Sequence, residues 1–204
     1  MSPTGKDKSS GHEPSTADGK ASVEIAAVRR AVLAVRGGDR ESFGSIVELY
    51  QRRLFGLTMM MTRHREGAEE VTQDAFVRAF SRLHLYDESR PFYPWIATIA
   101  VRLAQNWLSR HGRESKRISP LLEPDREPAL PIEPVDALIS DERGQQLWQS
   151  VAALPSGERT AVALYYRDGM KVNDVARALG VTSGTVKTFL FRARKKLRGA
   201  LESP

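Results

Sequence analysis

The densest group of side chains able to do chemistry lies near the end of the chain. Lys187, Arg192, Arg194 and Lys195 follow closely on the hydroxyls of Thr182, Ser183, Thr185 and Thr188, with Gly184 among them. Hydroxyls contact bases or phosphates, and Lys and Arg neutralise phosphates, so this group suits recognition of a polyanion rather than catalysis. The competing sets fall short. Glu66, Glu69, Glu70 and Asp74 cluster at helical spacing with His64 nearby, but a di-metal bundle needs paired Glu-x-x-His motifs, and none occurs. The four histidines (His12, His64, His84, His111) are scattered. There is no phosphate loop of the G-x-x-x-x-G-K-[ST] type and no G-x-S-x-G elbow. With no cysteine, the chain has no disulfide, thiolate zinc site, Fe–S cluster or thiol nucleophile. The expectation is a chain without cofactor, metal site or catalytic residues.

The elements that must hold the cationic group are legible around it. Val172, Val175, Ala176 and Leu179 make the inner face of a short helix over about 172–179, and small Ala176 lets a second helix cross closely. Gly180 suits the left-handed turn, Val181 plugs the corner, and Thr182 is placed to cap a helix over about 183–201. Val186, Phe189 or Leu190, Ala193 and Leu197 face inward, which turns Ser183, Gly184, Thr185, Lys187, Thr188 and Arg192 outward. This is a helix-turn-helix, and its second helix presents to solvent the half that enters a DNA major groove in such motifs.

Farther back, the chain reads as all-α: two small helical domains joined by a flexible acidic linker, the C-terminal one containing the helix-turn-helix. Residues 1–22 are rich in Ser, Gly, Pro and Lys and read as a disordered tail. A first domain over 23–111 holds four amphipathic segments, with Gly37-Gly38 closing the first. Asp39 or Ser42 caps the second, and Pro94 sits in the first turn of the fourth. The three methionines Met59–Met61 read as a pliable core patch. Residues 112–137 form the linker, where Pro120, Pro124, Pro128, Pro131 and Pro134 interrupt regular structure among Glu123, Asp125, Glu127, Glu133 and Asp136. The second domain covers 138–201, with a helix starting near Asp136 or Ser140 and another over about 156–167, capped by Ser156 and ended by Asp168-Gly169. The 204 residues carry a net charge of +6, which admits a polyanionic partner. The longest nearly apolar run, Phe55 to Met61, is far below the roughly 20 residues of a membrane span, so no membrane insertion is expected and the cytoplasm is the expected location.

The block LPSGERTAVALYYRDGMKVNDVARALGVTSGTVKTFLFRARKKLR (154–198) resembles domain four of the extracytoplasmic-function (ECF) group of bacterial RNA polymerase sigma factors. GDRESFGSIVELYQRRLFGLTMMMTRHREGAEEVTQDAFVRAFSRL (38–83), followed by PFYPWIATIAVRLAQNWLSR (91–110), resembles domain two of the same group, within the sigma-70 family. The resemblance implies a non-catalytic specificity subunit. Its partners would be core RNA polymerase, through the largest-subunit clamp helices and the flap, and promoter DNA, duplex at −35 and single-stranded at −10. An anti-sigma protein would hold it inactive.

Residue by residue, the resemblance carries the −35 role to Thr182, Ser183, Gly184, Thr185, Lys187, Thr188, Arg192, Arg194 and Lys195. The core-polymerase role falls on Glu70, Gln73, Asp74, Phe76 and Arg78. Four of these make a polar stripe, and Phe76 lies opposite it. Melting the −10 element calls for aromatic platforms beside positive charge. The matching segment holds Arg82, Tyr86, Phe92, Tyr93, Trp95, Arg102, Asn106 and Arg110. Burial is favoured over stacking for Trp95, whereas Phe92, Tyr93 and the loop residues before them, Tyr86 among them, are the better candidates for stacking on bases. Arg102 and Asn106 stand where the family pattern has Asn and Asp. Two other functions compete: a stand-alone helix-turn-helix regulator, which would bind its operator without polymerase, and a nucleic-acid-processing enzyme, for which no site is visible.

Overall fold

Apolar residues at helical spacing, punctuated by glycine and proline, set the element order. The computed structural model describes residues 16–118, 147 and 149–202. The helices are α1 (Thr16–Arg36), α2 (Phe43–Thr62), α3 (Arg65–Ser81), α4 (Phe92–Ile118), α5 (Ser156–Val162), α6 (Val172–Leu179) and α7 (Ser183–Glu202). A short 3-10 turn, Leu83–Leu85, follows α3, and a π-helical turn, Ala163–Arg167, continues α5. Among the described residues there is no strand.

Two boundaries differ from expectation. α1 begins at Thr16, so residues 16–22 belong to a helix rather than to the tail, and α4 runs to Ile118, taking residues 112–118 out of the linker. Gly19 and Gly112 lie inside these extensions and interrupt neither helix. The remainder of the tail and of the linker, and the helix start near Asp136 or Ser140, lie outside the described residues.

The first body, α1 to α4, closes around Val32, Ile46, Leu54, Leu57, Ile96 and Val101, all essentially without solvent contact. Its local signals match their expected roles in part: Ser42 sits at the cap of α2 without a side-chain bond, and Asp39 closes the turn before the helix. Gly38 takes a φ of 106°, the left-handed value a β-carbon would resist, and Asp39 accepts from the Ser42 amide. Met60 and Met61 are core residues. His64 caps α3, its Nδ1 accepting from the Gly67 amide at 3.1 Å. Thr58 and Thr72 bury their hydroxyls against each other at 2.8 Å, satisfying polar groups that would otherwise be costly inside the bundle.

The second body, α5 to α7, packs around Leu164, Val175, Val186 and Ala193. It lies directly on the first: α6 packs on α4, and α5 on the end of α2. Polar groups bind this seam. The Asp168 side chain has no solvent exposure. It accepts from the Tyr93 hydroxyl at 2.8 Å and from Arg167 Nε at 2.9 Å, and it pairs with Arg53 at 3.5 Å. The Arg53 guanidinium also lies over the Tyr93 ring, 3.6 Å from its centroid. Burial above all, with the Asp168 charge, pushes the Tyr93 hydroxyl above its ordinary pKa. Nearby, Arg159 donates to the Met60 carbonyl at 2.8 Å and to the carbonyls of Ala152 and Leu154. Burial and the neighbouring Arg63 pull the Arg159 pKa down to about 10, which still leaves it charged at neutral pH.

Candidate nucleic-acid interface

The helix-turn-helix folds as its residues dictate. Gly180 adopts φ 69° and ψ 32°, and the Val181 amide reaches back to the Ala176 carbonyl at 3.0 Å. Thr182 caps α7 by accepting from the Thr185 amide at 3.1 Å. Val186, Leu190 and Ala193 are buried, with Phe189 and Leu197 half-buried beside them. The opposite face is open: Thr182, Gly184, Lys187, Thr188, Arg192, Arg194 and Lys195 are exposed, and Ser183 and Thr185 are half-buried. Arg194 is partly spent on the Leu190 carbonyl, and Lys196 on the buried Glu158. α7 therefore presents a cationic, hydroxyl-rich head whose field suits the phosphates flanking a major groove.

The stripe assigned to polymerase sits on α3. Glu70, Gln73, Asp74 and Arg78 are exposed along one side. Glu70 is also tied down, because Trp107 Nε1 donates to its Oε2 at 3.0 Å. Phe76 is not part of this surface. It is 7% exposed and meets Phe43 edge-on, as its place opposite the polar stripe requires.

The aromatic residues of the −10 segment sort differently from expectation. Tyr86, Phe92 and Tyr93, expected as the platforms for −10 bases, are instead core residues at 7%, 2% and 3% exposure. Because α4 already starts at Phe92, both Phe92 and Tyr93 fall on its inner side: Phe92 stacks on Tyr50 and Tyr93 enters the seam. No ring face of Phe92 remains for a base. Trp95, expected inside, is half-buried against Tyr86 and Phe92. Arg82 is exposed, and Arg102, Asn106 and Arg110, four residues apart on α4, form an exposed polar stripe. A cleft of about 470 Å³ separates this region from the helix-turn-helix, with Trp95, Pro94 and Arg90 on one side and Lys171, Asn173 and Arg177 on the other.

Sequence reasoning passed over those last three. Only their position at the start of or within the first helix of the motif could have flagged them, since Asn173 lies ten residues from the Ser183 hydroxyl it meets. Among the described residues no group of three or more His, Asp and Glu is placed to hold a metal, and no helix is long and apolar enough to cross a membrane.

Comparison with known proteins agrees with this geometry. The family model "Sigma-70 region 2" matches residues 46–114, and "Sigma-70, region 4" matches residues 144–197. The chain is 29% identical over 180 residues to the RNA polymerase sigma-H factor of Pseudomonas aeruginosa, covering 85% of this chain and 93% of that one. It is 28% identical over 185 residues to the ECF RNA polymerase sigma factor SigW of Bacillus subtilis, covering 85% and 96%. In fold it is similar to the sigma factor RpoE in complex with the anti-sigma factor NepR from Bartonella quintana, with a TM-score of 0.67, 21% identity, and 80% of this chain and 98% of that one covered. CnrH, solved in complex with the cytosolic domain of CnrY, matches with a TM-score of 0.58 and 20% identity, over 88% of this chain and 97% of that one. With both sigma-70 regions present in order, each on its own helical body, the chain belongs to the sigma-70 family of RNA polymerase sigma factors, in the ECF group.

Proposed function

We propose that this ECF sigma factor reads the −35 duplex with the head of α7 and meets −10 DNA along the Arg82, Trp95, Arg102, Asn106 and Arg110 surface. It docks on the clamp helices of core polymerase through Glu70, Gln73, Asp74 and Arg78, and its second body meets the flap. The observation that carries this reading is the open cationic face of α7, held at a fixed angle by the left-handed Gly180 turn and the Thr182 cap. The chain itself catalyses nothing. Polymerase supplies nucleotidyl transfer, and the sigma chain supplies placement and strand opening in the cytoplasm. Two DNA surfaces on one chain gain effective concentration once polymerase fixes their separation, so free protein binds promoters poorly. An anti-sigma partner is part of the proposal, since the sigma factor RpoE has been solved in complex with the anti-sigma factor NepR.

The test is transcription in vitro with core polymerase titrated against the full chain, on templates chosen by mapping transcription starts after overexpression. A promoter-dependent transcript that requires both components is expected. Tight operator binding by the chain alone, with no transcript at any polymerase concentration, would overturn the reading in favour of a stand-alone regulator.

A further inference from the structure

Four hydroxyl side chains stand at the head of α7, and the structure shows where most of their protons go. Thr188 donates to the Gly184 carbonyl at 3.0 Å. Thr182 and Thr185 share one hydrogen bond at 2.9 Å, which consumes the proton of one of them. Ser183, the first residue of α7, donates to Asn173 Oδ1 at 2.8 Å, across the turn and from the other helix of the motif. A hydroxyl has one proton and two lone pairs. With that proton on Asn173, the Ser183 oxygen can only accept.

This matters because N-terminal residues of a recognition helix are the ones that reach base edges. In the major groove, adenine presents an amino donor at N6 and cytosine at N4, whereas guanine O6 and N7 and thymine O4 are acceptors. A freely rotating serine serves either kind of edge. A serine whose proton is held elsewhere serves only the amino groups.

We propose that Asn173 is a positioning residue for promoter reading: it fixes Ser183 as a hydrogen-bond acceptor and so biases the base facing Ser183 toward adenine or cytosine. The proposal rests on the assignment of α7 to the −35 duplex. Asn173 is exposed on the first helix of the motif, and its own amide protons have no partner among the described residues, so the Ser183 bond is its one fixed contact.

The experiment uses holoenzyme assembled from core polymerase and the full chain, on a promoter found by start mapping and randomised through its upstream element. Sequencing the transcripts gives the base preference at each position. One position should favour adenine or cytosine by about fivefold, the discrimination of a single hydrogen bond. Asn173→Ala frees the Ser183 proton and should flatten that position, as should Ser183→Ala, and the double variant should do no more than either. Asn173→Asp keeps an acceptor for the proton and should retain the preference, even if the added negative charge weakens binding overall. Co-migration of each variant with core polymerase confirms that it is folded. An unchanged profile in Asn173→Ala overturns the proposal, as does flattening of the same position by Asn173→Asp. Indifference of the upstream element to Lys187→Ala and Arg192→Ala as well would show that α7 is not the reader, a failure distinct from that of Asn173 alone.

Discussion

Asp168 holds two arginines and a tyrosine with one carboxylate that water does not reach. Such a group is costly to remove, because its partners remain behind as uncompensated buried charge. Asp168→Ala should therefore lower stability by about 3 kcal/mol in denaturant unfolding, far more than loss of an exposed pair such as Arg65–Glu69. Arg167 shows the same coupling from the other side: burial opposes its charge, yet the adjacent Asp168 carboxylate more than offsets this and raises its pKa. The tyrosines give a pH signature. Burial, aided by Glu88 and Asp87, pushes the Tyr86 hydroxyl up from 10 to about 12. Between those values the unfolded chain has lost this proton and the folded one keeps it, so the contribution is complete below pH 10 and disappears as pH rises to about 12. Thermal unfolding across that range should show Tyr86→Phe losing less stability than the parent chain.

At the scale of elements, α3 and α4 cross where Gly67 meets Trp107. A β-carbon at Gly67 would lie 2.3 Å from the indole ring, so the ring or the helix must move. Gly67→Ala gains helix propensity of about 1 kcal/mol but overpacks this crossing, and a net loss of about 1–2 kcal/mol is expected by thermal unfolding. Displacing Trp107 also frees Glu70, so tryptophan fluorescence should shift with it. This glycine carries no local signal, because its neighbours read as ordinary helix and its reason lies forty residues away in sequence. The helix-turn-helix was legible in full: Val172–Leu179, the Gly180 turn and the Thr182 cap all follow from period, glycine and hydroxyl. The π turn at Ala163–Arg167 was not, since an extra residue per turn leaves the apolar pattern of 156–167 intact while swinging Tyr165 and Tyr166 outward and Asp168 inward. Phe92 and Tyr93 were ambiguous for a related reason. Pro94 marks the first turn of this helix without fixing its first residue, and the helix has already begun at Phe92.

For the molecule as a whole, the proposed docking of α3 on polymerase is open to a charge test. Asp74 is exposed and makes no hydrogen bond or ion pair among the described residues, so Asp74→Lys should leave the fold intact. It should weaken co-migration with core enzyme by about tenfold or more through reversed charge. The all-helical, two-body organisation was legible from period and from the proline-rich stretch between the bodies. Their mutual docking was not, because it depends on Arg53, Tyr93, Arg159 and Asp168, which are far apart in sequence and carry no local signal that pairs them. That docking has a cost for promoter binding. Elements named −35 and −10 are centred about 25 base pairs apart, or about 85 Å of duplex, whereas a compact body the size of the described residues has a radius of gyration of only about 15 Å. The closed molecule is too short to straddle both. Any machinery that spreads the two halves along a promoter must first break the Asp168 cluster, and its apparent grip on the chain is discounted by the rarity of the parted form.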